Sequence, residues 1–145
     1  MSAILNLADA IVAGLNGHDF SQGFTATREY VPSSDLPALA SISVVVVPKA
    51  VVIESVTREA ESFDCDVDIG IQRKMDISSN VMLDAMVDLT EEIVDFLRMS
   101  RLADYPTAGW LSIANEPVFA VEHLDQEHVF TSIVTVKYRI LRTKE

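Results

Sequence analysis

The chain has 145 residues, 49 % hydrophobic and 23 % charged, the make-up of one globular domain large enough to bury its own core. Disorder is excluded by that composition, and an internal disulfide framework by the single cysteine, Cys65. A membrane-spanning helix is excluded too, because the longest apolar stretch, residues 42–53, is broken by Pro48 and Lys49 and falls far short of ~20 residues.

Residues 2–15 predict a helix, since Ile4, Leu7, Ala8, Ile11 and Leu15 recur on one helical face. Ser2 offers an N-cap, and Gly14 with Asn16–Gly17 a stop. No Lys or Arg precedes this apolar segment and Asp9 interrupts it, so no signal peptide is expected and synthesis and retention in the cytosol are. Residues 24–31 alternate as a strand, with Phe24, Ala26, Arg28 and Tyr30 on one side. Residues 32–35 form a turn signal, leading into one helical turn through Leu39. Residues 42–47 are β-branched and apolar on both faces, as in a central strand, and Pro48 marks a bulge or exit. Strand character resumes over 51–57. In residues 63–71, Phe63, Cys65, Val67, Ile69 and Ile71 point one way and Asp64, Asp66, Asp68 and Gly70 the other. With the short charged segment 58–62 between them, these two runs predict a long antiparallel hairpin.

Residues 79–99 carry the strongest helix signal, Met82, Met86, Leu89, Ile93 and Phe96 at 4-3-4-3 spacing, widened by Leu83, Val87, Val94 and Leu97. Ser78 or Ser79 caps it, and Arg98 and Arg101 suit its negative end. Residues 103–109 read as irregular. Residues 110–121 read as a strand interrupted at Asn115–Glu116–Pro117. Residues 129–141 read as a strand with Val134, Val136, Tyr138 and Ile140 on one face. The expected fold is α+β: a mainly antiparallel β-sheet with a long β-hairpin, and two main helices packed on one face, in a single domain spanning residues 1–145.

The net charge is −11, which repels nucleic acid unless a local patch reverses the field. Residues 54–95 hold twelve acidic and three basic side chains, while residues 137–145 hold four basic and one acidic. The candidate interaction or channel-lining residues are therefore Glu54, Asp64, Asp66 and Asp68 on the hairpin, and Lys137 and Arg139 on the last strand. The basic end guards a sheet edge or meets the acidic hairpin of a neighbouring copy, a head-to-tail arrangement that closes into a ring.

Catalytic and metal motifs are missing from the sequence. Asp64, Asp66 and Asp68 have the start of a calcium loop, but the sixth position is Ile69 and the twelfth Met75, where Gly and Glu belong. Carboxylates two apart on a strand stand about 7 Å from each other and do not converge. His18, His123 and His128 have no metal-site spacing, and Cys65, set among apolar residues, reads as a core side chain. No Gly-x-Ser-x-Gly elbow or phosphate-binding glycine loop occurs, and carboxylate pairs such as Glu91–Glu92 sit on a helix surface. No cofactor and no enzyme activity are expected.

The layout and phrasing of the chain carry a further signal. The N-terminal helix ends in Leu15–Asn16 and is followed by Phe20–Ser21 and Phe24–Thr25–Ala26. Then come Arg28–Glu29–Tyr30–Val31–Pro32, the strand running from Val44 to Pro48, and the hairpin ending in Asp68–Ile69–Gly70–Ile71–Gln72–Arg73–Lys74. The long helix carries Glu91–Glu92–Ile93–Val94–Asp95–Phe96–Leu97, and the closing strand Phe130–Thr131–Ser132–Ile133. Over nearly its whole length this layout resembles the tail-terminator, or tail-completion, proteins of long-tailed bacteriophages. The resemblance implies a virion protein, made in the host cytoplasm, that forms a homo-hexameric ring on the tail tube protein. Such a ring stops tube growth and joins the tail to the head–tail connector of the neck. Genomic DNA passes through it without specific binding, and a like-charged lumen suits that passage because it adds no counterion-releasing contacts. The alternatives are a head-completion or neck adaptor or another tail component, or else a cytosolic binding module or small enzyme.

Overall fold

The computed structural model describes residues 2–30, 41–75, 80–98, 101–122, 124 and 128–143. Helix α1 (Ala3–Asn16) is followed by strands β1 (Thr25–Arg28), β2 (Ser43–Ser55) and β3 (Ala60–Lys74). Helix α2 (Asn80–Leu97) and strands β4 (Gly109–Asn115) and β5 (Val129–Thr143) complete it. The five strands form one sheet in the order β1-β2-β3-β5-β4. All pairings are antiparallel except β1–β2, which is parallel. The α+β class and the mainly antiparallel sheet are as the sequence predicts. The parallel pair is the part that strand periodicity could not indicate, because alternation is the same in either direction.

Both helices pack on one face of the sheet. Leu7, Ala8, Ile11 and Leu15 of α1 share a core with Met86, Leu89, Ile93 and Leu97 of α2. Beneath them lie Val44 and Val46, then Cys65, Val67, Ile69 and Ile71, then Val134, Val136, Tyr138 and Ile140. The register aligns these rows: Ile69 stands opposite Val46 on one side and Val134 on the other. Among the described residues no helix is long and apolar enough to cross a membrane.

Local chemistry sets the boundaries. The Ser2 hydroxyl accepts from the Leu5 amide at 3.3 Å, and the Gly17 amide donates to the Ala13 carbonyl at 3.0 Å. At the end of α1 the Asn16 amide group grips the backbone of β1. Its Nδ2 donates to the Ala26 carbonyl at 3.1 Å, and its Oδ1 accepts from the Ala26 amide at 2.7 Å. A side chain thus occupies the place of a further strand at Ala26. β1 pairs with β2 only over Thr25–Arg28, four residues rather than the eight expected. The hairpin forms as expected, with a register shift between Pro48 and Ala50 where the proline cannot donate. The turn predicted over 32–35, the helical turn after it, and the caps Ser78 and Ser79 lie outside the described residues.

β4 stops at Asn115, earlier than the predicted 121. The Asn115 Nδ2 donates to Ser132 Oγ at 2.9 Å and to the Ile133 carbonyl at 2.8 Å, and the Glu116–Pro117 peptide is cis. The chain still follows β5 beyond this point. Glu116 donates to the Ile133 carbonyl, Ile133 to the Pro117 carbonyl and Ala120 to the Thr131 carbonyl.

Burial falls away along the hairpin. β2 is buried at Val44–Val46 and exposed from Lys49 onward, and β5 is exposed from Leu141 onward. The ends of β2, β3 and β5 therefore run on past the core as a three-stranded tongue. Phe63, expected in the core, is only half-buried because it stands on this tongue, where the Arg142 guanidinium lies 5.1 Å from its ring centre.

Candidate functional site

The six candidate residues all fall on the sheet face turned away from α1 and α2. Asp64, Asp66 and Asp68 take the even positions of β3. The register sets Arg139 opposite Asp64, Lys137 opposite Asp66 and Thr135 opposite Asp68, while Glu54 lies on β2 opposite Ser62.

The carboxylates are met from the neighbouring strands. Arg139 clasps Asp64 with two parallel hydrogen bonds, Nε to Oδ1 at 2.8 Å and Nη2 to Oδ2 at 3.0 Å. Lys137 Nζ stands 3.8 Å from Asp66 Oδ1, and Lys49 Nζ, at the β2 bulge, 3.7 Å from Asp68 Oδ1. The Thr135 hydroxyl donates to that same Asp68 oxygen at 2.6 Å. Hydrogen bonding to Arg139 holds the Asp64 carboxyl below its ordinary range, helped by the charges of Arg139 and Lys137 and opposed by burial. Arg139 is raised in turn, first by that hydrogen bond and then by the charges of Asp64 and, more weakly, Glu54.

This ladder refines the sequence reading. The basic strand and the acidic hairpin are adjacent within one molecule, so Lys137 and Arg139 meet Asp66 and Asp64 without a neighbouring copy. With Lys49 included, four carboxylates stand among three cations, and the face is close to neutral. Opposite charges at alternate positions of two strands were a legible signal for this pairing, and Lys49 and Thr135 are the partners that the sequence reading missed.

The acidic excess shows elsewhere. On α2, Asp84, Asp88, Glu91 and Asp95 are exposed and follow 4-3-4 spacing, so they form one stripe along its outer side. Glu92 is turned away from that stripe and accepts from the backbone amide of Ser21 at 2.9 Å and from its hydroxyl.

Cys65 is fully buried, and burial, with the charges of Asp64 and Asp66 adding, pushes its thiol up to about 11, which keeps it protonated and inert. His18 stacks among Phe20 and Phe96, with ring centres 4.7 and 4.5 Å away. The His128 carbonyl accepts from the Met75 amide at 2.7 Å, while His123 lies outside the described residues. Among the described residues no group of three or more His, Cys, Asp or Glu side chains converges as a metal site.

No protein-family model matches this chain, and no curated protein matches it either.

Proposed function

We propose that this chain is a virion assembly protein of the tail-terminator kind, a ring-forming stopper that ends tail-tube growth and meets the neck. The reading joins the resemblance in layout to one observation that carries it: the sheet continues past its core as a tongue with exposed apolar side chains. Exposed apolar surface on such an extension marks an interaction site, which an assembly protein requires. The chemistry of the charged face supports the same reading, because its aspartates are neutralised by Arg139, Lys137 and Lys49 and are not poised for acid–base work.

The expected lumen changes in detail. The ladder face is nearly balanced, so a like-charged wall facing DNA fits the α2 stripe of Asp84, Asp88, Glu91 and Asp95 better than Asp64, Asp66 and Asp68. The physical need for a stopper is that a tube of identical rings presents the same surface at every step, and only a different protein can end it. Deleting the gene from its phage and imaging the particles tests the proposal. Tails of uncontrolled length, or tails that fail to join heads, are expected; normal tails on infectious particles overturn it.

A further inference from the structure

The tongue has two lateral edges, and among the described residues neither is paired. On the β2 side, β1 pairs only with Ser43–Val46, which leaves residues 50–54 with no strand beside them. On the β5 side, β4 ends its pairing at Arg139, which leaves residues 140–143 likewise. Natural sheets protect such edges with prolines, lysines or bulges. β1 shows that protection in the Asn16 amide on Ala26. Residues 50–54, Ala-Val-Val-Ile-Glu, contain none of it, and the bulge lies before them.

The side chains at the two edges match. On the ladder face, Val52 is 55 % exposed at the β2 edge and Leu141 62 % exposed at the β5 edge. They cannot cover each other within one molecule, because β3 lies between them and two strand spacings make about 10 Å. β2 and β5 are both antiparallel to β3 and so run in the same direction. Successive copies can therefore add side by side without any of them turning over.

We propose that the tongue is a self-association site at which the β2 edge of one copy pairs with the β5 edge of the next, extending the sheet across the junction and bringing Val52 against Leu141. The contact is heterologous, using a different patch on each copy, so it repeats until it closes. This deepens the ring reading above and rests on it for closure into a ring; the pairing itself stands on the two edges.

Two exposed substitutions test it by complementation in full-length protein. Val52→Lys damages only the β2 edge and Leu141→Lys only the β5 edge. Sedimentation equilibrium is expected to show self-association of the wild type, weakened about tenfold or more in dissociation constant in each variant alone. Unchanged thermal melting of the variants shows that both remain folded. An equimolar mixture regains one intact junction and forms a heterodimer that goes no further. Association of the Leu141→Lys protein as strong as wild type overturns the proposal in favour of β2–β2 pairing between copies. A mixture that stays monomeric, or a wild type that stays monomeric up to millimolar concentration, overturns it outright. The particle phenotype of the gene deletion is independent of this mixing experiment, so failure of one is distinguishable from failure of the other.

Discussion

Val67 and Asp66 are neighbours on β3 with opposite fates. Val67 is fully buried under the helices, while the Asp66 side chain is 26 % exposed beside Lys137. Val67→Asp places a carboxylate in the apolar core with no partner, and is expected to cost more than about 4 kcal/mol, enough to prevent folding. Asp66→Leu removes a charge from a half-exposed ladder and is expected to fold, with a small loss of melting temperature. Equal melting of the two variants would contradict the register. Asp64 adds a pH signature. Its folded-state pKa is depressed below the ordinary value of 3.8, so its contribution to stability is present above that value and is lost as pH falls through the folded one. Acid melts of wild type and Asp64→Asn should therefore differ at neutral pH, begin to converge only below about pH 4, and meet once pH falls below the depressed folded-state value. The difference should be small and should shrink with salt, because the partner Arg139 is solvent-facing.

At the scale of elements, the periodic signals were the legible ones. α1, α2, β3 and β5 lie close to their predicted spans because each shows a buried face that repeats along the sequence. A bulge or an exit at Pro48 was legible from the missing amide, and the register shift between Pro48 and Ala50 makes it a bulge. What periodicity could not give was which strand lies beside which: β5 sits between β3 and β4, a long-range choice marked only by the alternating opposite charges of β3 and β5. The ladder depended on that choice, so the sequence singled out Asp64, Asp66, Asp68, Lys137 and Arg139 by their charge while their partnership within one molecule was not read. The extent of β1 was overestimated for a different reason, since its length is set by its pairing with β2, which covers only Thr25–Arg28 opposite Ser43–Val46, while its outer edge is met at Ala26 by the Asn16 side chain. That contact predicts its own test. Asn16→Ala removes both hydrogen bonds to Ala26 and leaves a backbone donor and acceptor without a partner, at an expected cost of about 1–3 kcal/mol. Urea denaturation measures the loss, and a variant as stable as wild type would show that the edge does not need this stop.

For the whole molecule, charge and shape are separated. The helices carry the acidic stripe on one side, the sheet carries a nearly balanced ladder on the other, and the exposed apolar side chains of the hairpin gather on the tongue. A net charge of −11 makes copies repel at long range, while the tongue edges attract only on contact. Salt screens the first effect much more than the second, so association through the tongue is favoured at physiological ionic strength over dilute buffer.

The tongue has a further consequence because it leaves the core behind. Its strands hold one another by backbone pairing, with no helix described above Val51 and Ile53, so they lack the cross-layer packing that makes the rest of the sheet open as one unit. Such a segment frays at lower free energy than the body it extends from, without carrying that body with it. The molecule thus keeps its least cooperative part where it exposes most apolar surface. The tongue is therefore expected to open before the body of the sheet, and docking another strand against it would supply the missing constraint and set its shape.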